Sequence, residues 1–151
     1  KFYNAKKKNR SSVEVWGTGT CKREFLYSMD AANMIIDILE VNEKRILNFT
    51  KGEFSHINIG TGKDYTINEI AKILKKISGF EGKIINNKNY PDGVKRKVLN
   101  VNLFKKICPN SINNRVVSKK SFEENIKKTY TKLNDKKFKK FDKHNTFSLS
   151  I

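Results

Sequence analysis

The sequence predicts an α/β protein, because stretches typical of strands alternate along the chain with stretches typical of helices. The clearest helix is marked by Thr66 and Glu69, which form a capping box ahead of apolar residues at helical spacing. Two short apolar stretches, residues 13–16 and 23–27, are typical of strands. The 151 residues suffice for one domain of ordinary size, and because the chain begins with Lys1 rather than Met we expect a piece of a longer protein.

The first third of the chain is predicted to contain a helix end, these two strands and a second helix. Residues 1–12 are expected to form the end of a helix and a polar loop, and the first strand stops at Gly17. A helix over residues 30–41 follows the second strand, with Asp30 as its cap. The polar residues 42–54 are predicted to be irregular. The apolar face of the helix is expected to contain Ala31, Ile35, Ile38 and Leu39.

The middle of the chain is predicted to form two more strands around the helix that follows Thr66. Residues 56–59 are expected to form a strand that ends at Gly60-Thr61-Gly62. Gly79 is a natural C-terminal cap for the helix, because glycine adopts the left-handed conformation readily. A short strand at residues 83–86 and a turn at residues 90–93 complete this part.

Two helices are predicted near the end of the chain. Asn100 or Asn102 caps a short helix that runs through Lys106, and Ser121 forms a capping box with Glu124 at the start of the last helix. The core face of the last helix is expected to contain Phe122, Ile126, Tyr130 and Leu133.

The charge and the cysteine content restrict the classes of protein. The net charge of +17 suggests an anionic partner, although the abundance of Lys, Asn and Ile is equally expected of an AT-rich coding sequence with solvated lysines. Cys21 and Cys108 are too few for a metal cluster, and we expect free thiols in a reducing cytoplasm. No apolar run approaches the roughly 18 residues of a membrane span, and residues 1–10 lack the apolar core of a secretory signal.

Three features of the sequence are candidates for ligand binding. Trp16, between the first strand and two nearby glycines, is either a core anchor or a ring that lies against a sugar or base. Arg23 either pairs with a carboxylate such as Glu24 or grips a diphosphate, because its planar fork offers two donors to two oxygens. Residues 91–97 form either a solvated basic turn or, together with Arg23, a cationic phosphate pocket in which Asp92 accepts from a hydroxyl.

Other chemical signals are weak. Gly60-Thr61-Gly62 lies between a predicted strand and a helix, but the full dinucleotide motif G-x-G-x-x-G is absent. His56 lies inside a predicted strand and is expected to be structural. We find no Ser/His/Asp, Cys/His or paired-carboxylate set typical of a catalytic site.

Five stretches in this order resemble the C-terminal half of the GDP-L-fucose synthase family, which belongs to the extended short-chain dehydrogenases/reductases. They cover about residues 1–133 and are KFYNAK, VWGTGTCKREFLYSMDAA, SHINIGTGKDYTINEIAKIL, PDGVKRKVLN and SFEENIKKTY. This family is indicated fairly specifically by the combination of VWGTGT, REFLY and PDG followed by RK. By contrast, many nucleotide-sugar epimerases and dehydratases would fit REFLY and NIGTG alone.

The resemblance implies an NADPH-dependent enzyme that epimerises C3 and C5 of GDP-4-keto-6-deoxy-D-mannose and then reduces C4 to give GDP-L-fucose. The chain would be the C-terminal substrate-binding part of an extended Rossmann-type NAD(P)-binding fold, and the cofactor-binding N-terminal part would be missing. Residues 1–36 and 68–133 would form the substrate-binding domain. Residues 37–67 would return to the nucleotide-binding sheet, and residues 134–151 would form a basic tail.

By the same resemblance, five residues are expected to bind the GDP-sugar substrate. Lys1 and Lys97 stand where the family has basic contacts, the former to phosphate, and Arg23 matches its diphosphate arginine. Trp16 matches the substrate-contacting tryptophan, and Asp92 matches the carboxylate of the PDG turn. NADP(H) would be bound mainly by the missing part, and no catalytic, cofactor-binding or metal-binding residue is assigned within the chain.

The sequence departs from the family pattern at two places. Ser28-Met29-Asp30 lacks the first acid of the usual aliphatic-Asp-Asp, and Cys21 replaces a common Pro, which is expected to loosen that turn. Because the family's catalytic residues would lie upstream of Lys1, we expect the isolated chain to be inactive. The full-length protein is expected to be a cytoplasmic homodimer with no nucleic-acid or membrane partner, and the chain alone is expected to be poorly soluble.

Three alternatives stay open. The nearest is another nucleotide-sugar epimerase or dehydratase of the same superfamily. A basic nucleic-acid-binding module is favoured by the net charge alone, since aromatic residues alternate with basic ones only in the tail, at Phe138 and Phe141. The third is an inactive fragment or scaffold, because the catalytic half would be missing.

Overall fold

The computed structural model describes residues 1–51, 56–111 and 118–133. The elements alternate between helices and short strands, which confirms the predicted α/β class. They are α1 Phe2–Lys7, β1 Ser12–Trp16, β2 Lys22–Glu24, α2 Ser28–Leu39, α3 Glu43–Thr50, β3 Asp64–Thr66, α4 Ile67–Ser78, β4 Lys83–Asn87, β5 Arg96–Lys97, α5 Asn102–Ile107 and α6 Lys119–Lys132.

The strands form two small sheets. β1 and β4 pair in parallel with Ser12 opposite Lys83 and Trp16 opposite Asn87. β2 lies at the centre of a second sheet, antiparallel to β3 and parallel to β5. Since Arg23 pairs with Lys97 in this register, the second sheet brings residues far apart in the sequence onto neighbouring strands.

Three apolar clusters hold the elements together. The first lies between α1, β1 and α4 and includes an edge-to-face contact of the Phe2 and Phe80 rings at 5.9 Å. The second joins α2 and α3 to α5 around Met34, Phe104 and Ile107, and the third joins α4 to α6 around Phe122. Helix α4 contributes to two clusters because its apolar residues recur at helical spacing, as predicted.

The structure confirms both predicted ends of α4. The Thr66 side chain accepts from the N–H of Glu69, while the Glu69 carboxylate accepts from the N–H of Thr66, which completes the capping box. Gly79 ends the helix in the left-handed conformation at φ 62°.

The predicted cap of α2 was wrong, and its predicted apolar face was right only in part, since Ile38 packs against the core whereas Ile35 and Leu39 are exposed. The helix begins at Ser28, and Asp30 lies inside its first turn, where it is buried and accepts from the Asn125 side chain at 2.7 Å. Met34 is fully buried, whereas Leu39, predicted to face the core, is 78% exposed. The reason is tertiary, since packing against α5 decides which face of the helix is covered.

Two further predictions in this region were wrong. Residues 43–50 form α3 rather than an irregular segment, because Asn42 caps the helix by accepting from the N–H of Lys44. Residues 56–59 are not a strand, and β3 follows the glycine turn instead. A strand needs a neighbour, and none of the described strands pairs with residues 56–59.

Several element ends differ from their predictions. The second strand stops at Glu24, and α6 begins at Lys119 because the Ser118 side chain, rather than that of Ser121, caps it. α5 begins at Asn102, whose N–H donates to the Asn100 side chain. The reversal after β4 lies at residues 87–90, where the N–H of Tyr90 donates to the Asn87 carbonyl, so the predicted turn at 90–93 comes three residues too late.

Some predictions concern residues that lie outside those the structure describes. The predicted tail at residues 134–151, with Phe138 and Phe141, and the last residues of the segment 42–54 lie outside the described residues. The assignment of residues 37–67 to a nucleotide-binding sheet stays a prediction. None of the helices within the described ranges is long and apolar enough to cross a membrane.

Candidate functional site

Two chain segments lie side by side and carry four of the five predicted site residues. We call the line along which residues 16–24 and 90–97 meet the seam. Hydrogen bonds cross it at several points, including one from the N–H of Lys22 to the carbonyl of Lys95 at 2.8 Å. The fifth predicted residue, Lys1, adjoins the seam because its ammonium lies over the ring of Trp16.

Trp16 is the last residue of β1, and both its ring and its indole N–H contact other residues of the chain. Its ring stacks on Tyr90 with centroids 4.4 Å apart and planes 14° from parallel. Its Nε1–H donates to the Glu14 carboxylate at 2.9 Å, and Lys1 Nζ lies 4.5 Å from the ring centroid. With 39% of its surface exposed, Trp16 is not a core anchor, which was one of the two readings of the sequence.

Asp92 binds the loop that follows β1. Its carboxylate accepts from the Thr18 N–H at 2.9 Å and from the Thr18 hydroxyl at 2.7 Å. These bonds, the hydroxyl's first, hold the pKa of Asp92 below the usual value of a carboxyl group. The hydroxyl partner that Asp92 has in this structure is therefore a protein side chain.

Gly17 makes the contact between Asp92 and Thr18 possible. A Cβ at Gly17 would lie 2.2 Å from Asp92 Oδ1, and the residue has φ 72°, where side chains are unfavourable. The glycine that follows Trp16 therefore allows residue 92 to approach the loop, a role that its sequence position alone did not indicate.

Arg23 contacts the other segment of the seam through the backbone. Its Nη1 donates to the carbonyls of Lys22 and Val94, both at 2.7 Å. Lys97 is its partner in the parallel pairing of β2 with β5, so two cations occupy neighbouring positions. A guanidinium has five N–H donors, so these bonds leave donors that suit an anion.

Glu24 is a residue whose role sequence reasoning missed. Its carboxylate accepts from the N–H of Gly62 at 2.8 Å, from the N–H of Leu99 at 2.7 Å, and from the N–H and hydroxyl of Thr61. No ion pair between Arg23 and Glu24 is found in the described part of the chain, so that alternative was wrong. The only available signal was a carboxylate in the strand next to Arg23.

The same contacts explain Gly60-Thr61-Gly62, which resembled part of a dinucleotide turn. The backbone N–H groups of Thr61 and Gly62 point at the Glu24 carboxylate. Glu24 and Lys97 line an open groove of about 490 Å³ beside this turn. The glycine turn thus binds an anionic side chain of the protein itself.

The effect of Cys21 on the turn differs from the prediction. Its buried thiol donates to the carbonyl of Gly93 at 3.3 Å and so connects the two segments of the seam, whereas the replacement of Pro was expected to loosen the turn. Cys21 and Cys108 are both free, as predicted. Among the described residues, no group of His, Cys, Asp and Glu is arranged to hold a metal ion.

A second cavity lies away from the seam. It measures about 430 Å³ and is mostly apolar, and it is lined by residues 25–28, which follow β2, together with residues of β3, α4 and α6. Tyr65 and Phe122 stack in its wall with centroids 4.1 Å apart. None of the five predicted site residues lines it.

Comparison with protein families and curated proteins gives consistent matches. The family described as the NAD dependent epimerase/dehydratase family matches residues 1–60. GDP-L-fucose synthase of Escherichia coli strain K12 is 41% identical over 101 residues, which are 67% of this chain and 32% of that protein. GDP-L-colitose synthase of Yersinia pseudotuberculosis is 38% identical over 99 residues, 66% of this chain and 30% of that protein.

A solved structure shares the fold. The GDP-6-OMe-4-keto-L-xylo-heptose reductase of Campylobacter jejuni superposes with a TM-score of 0.65 and 30% identity, over 83% of this chain and 35% of that chain. The chain thus spans about a third of the length of the relatives it matches.

Proposed function

We propose that this chain, which is similar to GDP-L-fucose synthases and matches the NAD dependent epimerase/dehydratase family over residues 1–60, supplies the GDP-sugar-binding portion of such an enzyme. The whole protein would convert GDP-4-keto-6-deoxy-D-mannose to GDP-L-fucose with NADPH. The colitose synthase and the heptose reductase among its relatives make other GDP-sugars the nearest alternative substrates.

In the proposed enzyme, the reaction also uses groups that lie outside this chain. Epimerisation beside a ketone needs an acid and a base positioned at the carbon, and reduction of C4 needs a hydride from a nicotinamide cofactor. We assign these groups and the binding of NADP(H) to the part of the protein outside this chain. This chain contributes to positioning the substrate, because binding the remote diphosphate holds the sugar in place for reaction.

The seam is the observation that supports this role. It places Trp16, Arg23 and Asp92 on two segments joined by hydrogen bonds, with Lys97 beside Arg23. In the proposed complex, the remaining donors of Arg23 bind the diphosphate with charge-assisted hydrogen bonds. Trp16 contributes a flat apolar face for the nucleotide end, and Lys97 adds positive charge.

Calorimetry with GDP tests the proposal on the chain. We expect GDP to bind, and Arg23→Ala to weaken binding at least tenfold, since a charge-assisted hydrogen bond contributes about 1.5–3 kcal/mol. Arg10→Ala removes an exposed arginine outside the seam and should leave the affinity unchanged. Equal losses in the two variants would indicate that GDP responds only to net charge.

Two parallel titrations separate the alternatives. UDP binding as tight as GDP binding would favour another nucleotide-sugar enzyme of the superfamily. Binding of a DNA oligonucleotide that falls steeply with salt, together with no response to GDP, would favour the nucleic-acid-binding module and contradict the proposal.

A further inference from the structure

Tyr90 occupies one face of Trp16, the residue whose flat ring the proposed function offers to the nucleotide end of the ligand. The two rings are nearly parallel at 4.4 Å, which is the separation at which a nucleotide base would stack on the same indole. No ring can share that face with the phenol. Binding of a planar group to it therefore requires Tyr90 to move.

The turn after β4 determines where the Tyr90 ring lies. Asn87 is the pairing partner of Trp16, and its side chain donates to Glu14, the same carboxylate that accepts from the indole N–H. The N–H groups of Asn89 and Tyr90 both donate to Asn87, at 3.0 and 3.4 Å, and this folds residue 90 back over the indole. These hydrogen bonds within the turn therefore position the Tyr90 ring against Trp16.

The phenol is held less firmly than the other groups around Trp16. Lys1, which lies over the indole, also donates to the backbone carbonyl of Glu14 at 3.3 Å. Within the part of the chain that the structure describes, the Tyr90 hydroxyl has no hydrogen-bond partner, and 42% of the residue is exposed. Stacking on Trp16 is therefore the contact that an incoming ring must replace.

We propose that Tyr90 covers the Trp16 indole in the free protein, is displaced by the nucleotide end of the ligand, and thereby sets the affinity of the site. This inference rests on the proposed function, since it takes GDP as the ligand. Tyr90 is a specificity-determining residue in this account, because a ligand must offer a ring that stacks on the indole better than a phenol does.

Removal of the Tyr90 ring provides the test. Trp16 is the only tryptophan of the sequence, so fluorescence excited at a wavelength that the five tyrosines do not absorb reports on this residue alone. In the free protein, Tyr90→Ala should increase quenching of Trp16 by acrylamide. Titration of GDP into the same variant should give a dissociation constant about three- to tenfold lower than that of the unmodified chain, the range expected for an aromatic pair.

Two companion variants keep the test decisive. Tyr90→Phe retains the ring and should bind GDP as the unmodified chain does, because the hydroxyl has no partner among the described residues. Tyr90→Leu keeps side-chain bulk without a planar ring and should also tighten binding, which covers the case of an unstable alanine variant.

The possible outcomes separate this inference from the proposed function. Weaker GDP binding by Tyr90→Ala would mean that the phenol holds the ligand, and unchanged binding would mean that it has no effect; either result overturns the inference while GDP binding stands. Failure of the unmodified chain and of all three variants to bind GDP would instead refute the proposed function, and the inference with it.

Discussion

Asp92 accepts two hydrogen bonds from Thr18, one from the N–H at 2.9 Å and one from the hydroxyl at 2.7 Å. The two residues are 74 positions apart in the sequence, so this contact joins the loop after β1 to the segment that leads into β5. The contact therefore holds together two segments that the sequence places far apart.

The carboxylate of Asp92 should make the free energy of unfolding depend on pH. Since Thr18 holds the pKa of Asp92 below its usual value, its contribution is present above the unfolded-state pKa and is lost as pH falls through the lower folded-state pKa. Denaturant unfolding between pH 5 and 2 measures this effect, and Asp92→Asn should reduce the slope below about pH 4. Identical pH profiles for the two proteins would contradict the assignment.

Gly17 should not tolerate a side chain. Gly17→Ala places a Cβ 2.2 Å from Asp92 Oδ1 at a positive φ, and we expect a loss of about 2 kcal/mol or more in the free energy of unfolding. Gly79→Ala is the matched control, because it has a similar φ of 62° but meets only the flexible end of Lys6. Urea unfolding should show the larger loss for Gly17→Ala.

Glu24 should stabilise the fold through the backbone groups that it binds. Glu24→Ala leaves the N–H groups of Thr61, Gly62 and Leu99 without their acceptor, and we expect a loss of about 2 kcal/mol. Glu81→Ala, at an exposed position, should change stability by less than about 0.5 kcal/mol. If the two variants unfold at the same urea concentration, the carboxylate does not hold the glycine turn.

The buried face of α2 can be checked with two truncations. Met34→Ala should cost about 2–5 kcal/mol because the side chain is fully buried against α5, whereas Leu39→Ala should cost little. Thermal unfolding measures both. A larger loss for Leu39→Ala would support the face predicted from the sequence instead of the one in the structure.

The exposed side of α2 should make the chain associate with itself. Ile35, Ile36 and Leu39 leave apolar surface uncovered, and exposed patches of this kind drive association. Sedimentation at increasing concentration should show oligomers that Leu39→Lys reduces. Val94→Lys, which adds the same charge at an exposed residue elsewhere, should not reduce them; a monomeric chain with a sharp cooperative transition would contradict this expectation.

Local chemistry in the sequence determined several elements of this protein. The capping box at Thr66, the left-handed Gly79 and the helical spacing of Ile70 lie within one stretch of chain, so α4 could be predicted with its ends. The same holds for the strands that became β1 and β4. Four of the five site residues were also identified in segments that turned out to lie together.

Only the tertiary structure decided which contacts those residues make. The position of α5 determines whether Met34 or Leu39 faces the core, and the presence of a neighbouring strand determines whether residues 56–59 form a strand. Both depend on segments that lie far away in the sequence. Likewise, the stacking of Tyr90 on Trp16 and the binding of Glu24 to the glycine turn join residues far apart in the chain. Periodicity and capping act within a few residues, whereas burial and pairing depend on the whole folded chain.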